Sequence, residues 1–173
     1  MARVYVSIGS NIEPHRHVRR ALEQLERQFG SLVISPIYRT RAMGFEGDDF
    51  LNLVIGMDTA LPPLELAERL RALESREGRL RGAEKFTSRT LDLDILTYGD
   101  QRIRDGRLVL PRREITRYAF VLRPLADVAP DAVHPELGKT YHELWATFDD
   151  RQQHMERVAL QPSDDEDEQR ART

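Results

Sequence analysis

Leu91-Asp92-Leu93-Asp94-Ile95 sets two carboxylates two positions apart in an otherwise apolar run. On a strand, alternate side chains share a face, so Asp92 and Asp94 project together, roughly 7 Å apart, while Leu91, Leu93 and Ile95 turn the other way. Two carboxylates held on a rigid strand can bind a hard cation such as Mg²⁺. Taken alone, the same pair reads equally well as two solvated acids on an exposed sheet face.

The flanking residues weigh on that choice. Arg76, Arg79, Arg81, Lys85 and Arg89 precede the pair, and Arg102, Arg104, Arg107, Arg112, Arg113 and Arg117 follow it. Cations around an acidic pair suit a metal–polyphosphate site, where metal bridges phosphate oxygens and guanidinium groups spread the remaining charge. The competing reading is an arginine-rich surface that serves solubility alone, since only Lys85 and Lys139 are lysines. Phe50 and Asn52 share a strand face by the same alternation. A ring beside an amide suits a flat heteroaromatic ligand, although Phe50 alone is equally a core residue.

Other signals are dismissed. Gly138-Lys139-Thr140 resembles the end of a phosphate-binding loop, but the earlier glycine such a loop needs falls at Val133. No G-x-G-x-x-G occurs. His15, His17, His134, His142 and His154 form no zinc-ligand spacing. The absence of cysteine excludes disulfides, thiolate metal sites and thiol catalysis.

Periodicity supplies the elements that must position these groups. Val4, Val6 and Ile8 alternate as in a strand, and Val18, Leu22, Leu25 and Phe29 recur at helical spacing before Gly30. Residues 31–39 read as a second strand, with Pro36 arguing for an edge or bulge, and 50–58 as a third. Pro62-Pro63 opens a helix carrying Leu66, Leu70 and Leu73, and 90–98 reads as a fourth strand. The order β-α-β-β-α-β predicts an α+β, ferredoxin-like sandwich. An appended segment is expected to hold a hairpin near 101–110 and helices around 117–127 and 140–148.

A chain of 173 residues, 40% hydrophobic and 32% charged, is expected to form one soluble domain. Its net charge of −3 is uneven. Residues 149–173 hold eight acids against four arginines and end in SDDEDEQRART. The expected division is therefore a domain over 1–148 and an acidic, unstructured tail over 149–173. The N-terminus reads as a strand and not as a signal peptide, so a cytoplasmic protein is expected.

In chain order, Val6-Ser7-Ile8-Gly9-Ser10-Asn11, Ser35-Pro36-Ile37-Tyr38-Arg39-Thr40, Phe50-Leu51-Asn52, Glu74, Gly78-Arg79-Leu80-Arg81, Arg89-Thr90-Leu91-Asp92-Leu93-Asp94-Ile95 and Ala119-Phe120-Val121-Leu122-Arg123-Pro124-Leu125 resemble the 6-hydroxymethyl-7,8-dihydropterin pyrophosphokinases. The resemblance runs over roughly residues 3–148 and is most specific at R-T-L-D-L-D-I. It implies a ferredoxin-like fold and transfer of pyrophosphate from ATP to the pterin hydroxymethyl group, releasing AMP in folate biosynthesis. It implies two Mg²⁺ ions on Asp92 and Asp94, with Arg79 and Arg89 also catalytic. Thr40, Ala42, Met43, Phe50, Asn52 and Phe120 would hold the pterin, and Glu74, Arg81, Lys85, Ile95, Arg107 and Arg112 the ATP. The partners implied are these small molecules, taken up by a monomer with neither nucleic acid nor membrane.

Three departures stand in the phosphate-gripping segments. Lys85-Phe86-Thr87-Ser88-Arg89 replaces arginine-tryptophan-glycine-proline-arginine, Arg112 replaces a histidine after Pro111, and Tyr118 replaces an arginine. They leave room for a paralogue that binds pterin without catalysis or acts on a related one. A nucleic-acid-binding ferredoxin-like module is the reading from another class, but Asp92 and Asp94 would repel phosphate where such modules show aromatics.

Overall fold

The structure, a computed structural model, describes residues 1–41, 47–78 and 90–162. Its elements are β1 (Ala2–Ser10), α1 (Pro14–Phe29), β2 (Val33–Ile34), β3 (Ile37–Thr40), β4 (Phe50–Thr59), α2 (Pro63–Arg76), β5 (Asp92–Tyr98), β6 (Ile103–Asp105), β7 (Leu108–Leu110), a 3₁₀ turn over Arg113–Thr116, α3 (Ala119–Val128), α4 (Tyr141–Ala146) and β8 (Glu156–Val158). The main sheet runs β5-β1-β4-β3-β8, with β2 also on β4, and every pairing is antiparallel. This is the expected ferredoxin-like arrangement.

The alternation read from β1 is what the sheet buries. Val4, Val6 and Ile8 are at most 1% exposed and face Val18, Ala21 and Leu25 of α1 and Leu66, Leu70 and Leu73 of α2. Burying a side chain of this size stabilises by about 1.5–3 kcal/mol. Gly30 ends α1 at φ 83°, a value that favours glycine, and its N–H returns to the Glu26 carbonyl at 2.8 Å.

The appended segment covers the opposite sheet face. Ile115, Val121, Leu122, Leu125 and Tyr141 meet Val54 and Leu96 in a second core. Burial pushes the Tyr141 phenol up to about 12. One extra residue in β5 resets which face its last side chains take. Val6 pairs with Ile95 and Tyr5 with Thr97, so Leu96 is an extra residue in a bulge. Ile95 stays in the first core, Leu96 enters the second, and Tyr98 returns to the first.

Three expectations change. The second strand is interrupted at Ser35-Pro36, so β2 and β3 pair with β4 separately. Ser35 donates its N–H to the Val54 carbonyl, and its side-chain Oγ accepts the Val54 N–H, both at 2.9 Å. The helix expected from residue 117 starts at Ala119, after the 3₁₀ turn, and Tyr118 is extended at φ −122°. The tail expected to be unstructured from 149 instead supplies β8. Ile37, Tyr38 and Arg39 pair with Val158, Arg157 and Glu156, Arg39 forms an ion pair with Glu156, and Val158 and Leu160 pack on the first core. The rest of that tail, 163–173, lies outside the described residues. β3 would otherwise present a bare edge, and the two-sided polar sequence of β8 carries no alternation that could announce it.

The connection after β8 is tied to α1. His15 Nδ1 accepts the Gln161 N–H at 3.0 Å, and Arg19 donates to the Gln161 carbonyl at 2.5 Å. Burial, then the charges of Arg19 and Arg39, hold His15 below its ordinary pKa. His134 is lowered by burial as well, against an opposing Glu136. A histidine with a lowered folded pKa takes up its proton more readily in the unfolded chain. Its stabilisation is complete above the unfolded value of about 6.5 and is lost as pH falls below it. The melting temperature is therefore expected to fall between pH 7 and 5, with His15→Gln removing part of the slope. Identical slopes in the two proteins would contradict a neutral, accepting His15.

Candidate active site

β5 is an edge strand, and burial of Leu93 and Ile95 in the first core turns Asp92 and Asp94 to the other face. Across β1 they stand opposite Gly9 and Ser7, whose small side chains leave both carboxylates half-buried.

The free edge of β5 is engaged from outside the sheet. Glu74, in the last turn of α2 and only 4% exposed, accepts the Leu93 N–H at 3.0 Å through Oε2. The carbonyl of the bulged Leu96 accepts the Arg112 N–H at 2.9 Å. These contacts bring α2 and the segment after β7 to the strand and bound a cleft of about 690 Å³, lined among others by Glu74, Asp94, Ile95, Arg107 and Arg112. The residues expected at the nucleotide that fall within the described chain therefore converge with one of the two aspartates. Arg71 and Ser75 line the same cleft and were missed by the sequence reading. Arg71 precedes Glu74 by three residues and Ser75 by four on α2, the spacings that bring helix side chains together.

Within the cleft the Arg112 Nη2 lies 3.3 Å from Asp94 Oδ1, and its Nε lies 3.4 Å from Glu114 Oε2. Glu114 was not anticipated. No periodic pattern links it to β5; the 3₁₀ turn brings it there.

The pterin-side expectations gather around the start of β4. Asn52 is buried and donates through Nδ2 to Thr40 Oγ1 at 2.8 Å. Gly9 explains the close approach: a Cβ there would lie 3.3 Å from Asn52 Oδ1 and 3.9 Å from Phe50 Cδ1. Phe50 and Asn52 share the face of β4 that carries Val54, against which α3 packs, and Phe120 stands in the first turn of α3. Tyr118 stacks on Phe120 with ring centroids 5.1 Å apart and planes 18° from parallel. Asn11, in the turn after β1, donates to the Asp48 carbonyl at 3.1 Å and so joins that turn to the entrance of β4. Ala42, Met43, Arg79, Arg81, Lys85 and Arg89 lie outside the described residues.

A family model described as 7,8-dihydro-6-hydroxymethylpterin-pyrophosphokinase matches residues 5–130. A Pseudomonas aeruginosa protein named 2-amino-4-hydroxy-6-hydroxymethyldihydropteridine pyrophosphokinase is 41% identical over 148 residues, covering 83% of this chain and 90% of that protein. Proteins of the same name are 39% identical in Methylorubrum extorquens, over 86% of this chain and 95% of that one, and 34% identical in Aquifex aeolicus, over 83% and 91%. Among solved structures, Plasmodium falciparum HPPK-DHPS with pteroate superposes at a TM-score of 0.67 and 14% identity, over 84% of this chain. The chain spans only 42% of that longer protein, and the likeness bears on the fold.

Proposed function

The chain belongs to the 7,8-dihydro-6-hydroxymethylpterin-pyrophosphokinase family, and from that premise we propose how its own residues carry the reaction. It is an ATP-dependent diphosphotransferase of folate biosynthesis, acting on 6-hydroxymethyl-7,8-dihydropterin and releasing AMP. The observation that carries the residue assignment is the convergence of Glu74, Asp94, Ile95, Arg107 and Arg112 on one cleft at the edge of β5. The face of Asn52 and Phe50 lies across the sheet from it, with β1 between.

ATP occupies the cleft. Ile95 and Leu70 give it an apolar wall, and Arg71, Arg107 and Arg112 meet its phosphates. The pterin lies flat between Phe50 and Phe120, its amide edge read by Asn52, whose orientation Thr40 fixes. The hydroxymethyl oxygen loses its proton to solvent and forms its bond to the β-phosphorus as the bond to the oxygen retained by AMP breaks. Charge grows on the transferred oxygens and on AMP, and the arginines stabilise it. No nucleophilic side chain is required.

Asp92 and Asp94 fit Mg²⁺. Both are hard oxygen donors on a rigid strand, and Asp94 already attracts a cationic group in Arg112. When bound there, Mg²⁺ ions, two in our reading, supply charge neutralisation on the phosphates. We further read the protein as a cytoplasmic monomer with small-molecule partners and no nucleic acid or membrane partner. Among the described residues no helix is long and apolar enough to cross a membrane.

The test is release of AMP on mixing protein, ATP, Mg²⁺ and the hydroxymethyl dihydropterin. Asn52→Ala is expected to raise the KM for pterin roughly five- to a hundredfold through a lost buried hydrogen bond. The KM for ATP should change little. A shift confined to ATP would reject the Asn52 assignment.

A further inference from the structure

We propose that Arg112 is an internal counter-ion of Asp94, and that it holds metal loading back until a polyphosphate gives its guanidinium another partner. The inference rests on the reading of Asp92 and Asp94 as metal ligands and goes beyond a phosphate contact for Arg112.

The backbone of Arg112 is fixed by the bulge of β5, through its N–H to the Leu96 carbonyl at 2.9 Å. Its side chain is strung between two carboxylates, 3.3 Å from Asp94 and 3.4 Å from Glu114. Both separations exceed the roughly 2.7–2.9 Å of a strong charge-assisted hydrogen bond. The guanidinium is therefore attracted by both acids and locked by neither. It is 27% exposed and Asp94 37%, so the pair sits at the cleft wall where water screens it only in part.

The consequence is a competition for one oxygen. A divalent ion approaching Asp94 without nucleotide meets a fixed positive charge already paired with it. A triphosphate in the same cleft offers Arg112 several anionic oxygens in a planar, bidentate geometry. The side chain can reach them without moving its anchored backbone, and its own hold on Asp94 is then relaxed. Arg112 thereby couples nucleotide binding to metal binding, in addition to direct chelation of the ion by the phosphates. A histidine at this position, neutral for much of the time near pH 7, would exert a weaker restraint.

The test uses Mn²⁺ as the probe, titrated into nucleotide-free protein and followed by its electron paramagnetic resonance signal. Arg112→Gln keeps a polar, unbranched side chain, two atoms shorter, and removes the charge. It is expected to tighten Mn²⁺ binding roughly five- to thirtyfold, the effect of removing one partly screened charge beside a divalent ion. ATP binding without metal should weaken in the same variant. Arg112→Lys, which keeps the charge, should bind Mn²⁺ nearly as weakly as the parent protein. Adding Asp94→Asn to Arg112→Gln should cancel the gain. Equal Mn²⁺ affinity in the parent and Arg112→Gln, with Asp94→Asn weakening both, would overturn the counter-ion role and leave the metal assignment standing. If Asp94→Asn changes Mn²⁺ binding in neither background, with or without ATP, the metal assignment falls and takes this inference with it.

Discussion

Asp94→Asn, and separately Asp92→Asn, will lower turnover by roughly a thousandfold or more while leaving the melting temperature within a few degrees of the parent protein. The size follows from what the pair is asked to do. Charge neutralisation by a metal on a transferring phosphoryl group contributes several kcal/mol, and about 4 kcal/mol is a thousandfold in rate. The small effect on folding follows from position. Both aspartates are half-buried on the face of β5 away from the first core, and asparagine keeps their volume and one carbonyl oxygen. Asp94→Asn also removes the partner of Arg112, but that pair is partly solvated and Glu114 remains beside the guanidinium. The measurements are AMP release under saturating substrates and a thermal melt. Turnover within tenfold of the parent in both variants would remove the pair from the chemistry. Loss of cooperative melting would mean that the pair is structural.

The second large effect concerns stability. A chain ending at Asp150 is expected to melt roughly 5–10 °C below one ending at Pro162. The shorter chain loses the β3–β8 pairing, the packing of Val158 and Leu160 on the first core, and the ties from Arg19 and His15 to Gln161. Together these amount to about 2–3 kcal/mol, and for a domain of this size each kcal/mol shifts the melting temperature by roughly 2–4 °C. The truncation also bares the edge of β3, so aggregation on heating should increase. Thr40 ends β3 and holds Asn52, so the KM for pterin should rise more than that for ATP. Coincident melting curves for the two chains would show that β8 contributes nothing to the folded state.

The sequence by itself determined the elements whose signal is local. Val4, Val6 and Ile8 on β1, Val18, Leu22, Leu25 and Phe29 on α1, and Leu66, Leu70 and Leu73 on α2 announce strand and helices because each pattern is written within one element. The order of those elements permits few foldings other than the ferredoxin-like one. Asp92 and Asp94 share a face for the same local reason, and Asn52 follows Phe50 onto one side of β4. The R-T-L-D-L-D-I block carries the resemblance to the pyrophosphokinases in seven consecutive residues. Tertiary structure alone decided the rest, through backbone groups that have no sequence signature. The N–H of Leu93 at an open sheet edge needed an acceptor, and Glu74 came to it. The extra residue at Leu96 aimed a carbonyl outward, and Arg112 was anchored there, within reach of Asp94. The edge of β3 needed a partner, and three residues of an acidic, unpatterned tail supplied it. Each of these contacts answers an unsatisfied polar group far away in the chain, and that demand exists only once the sheet has formed.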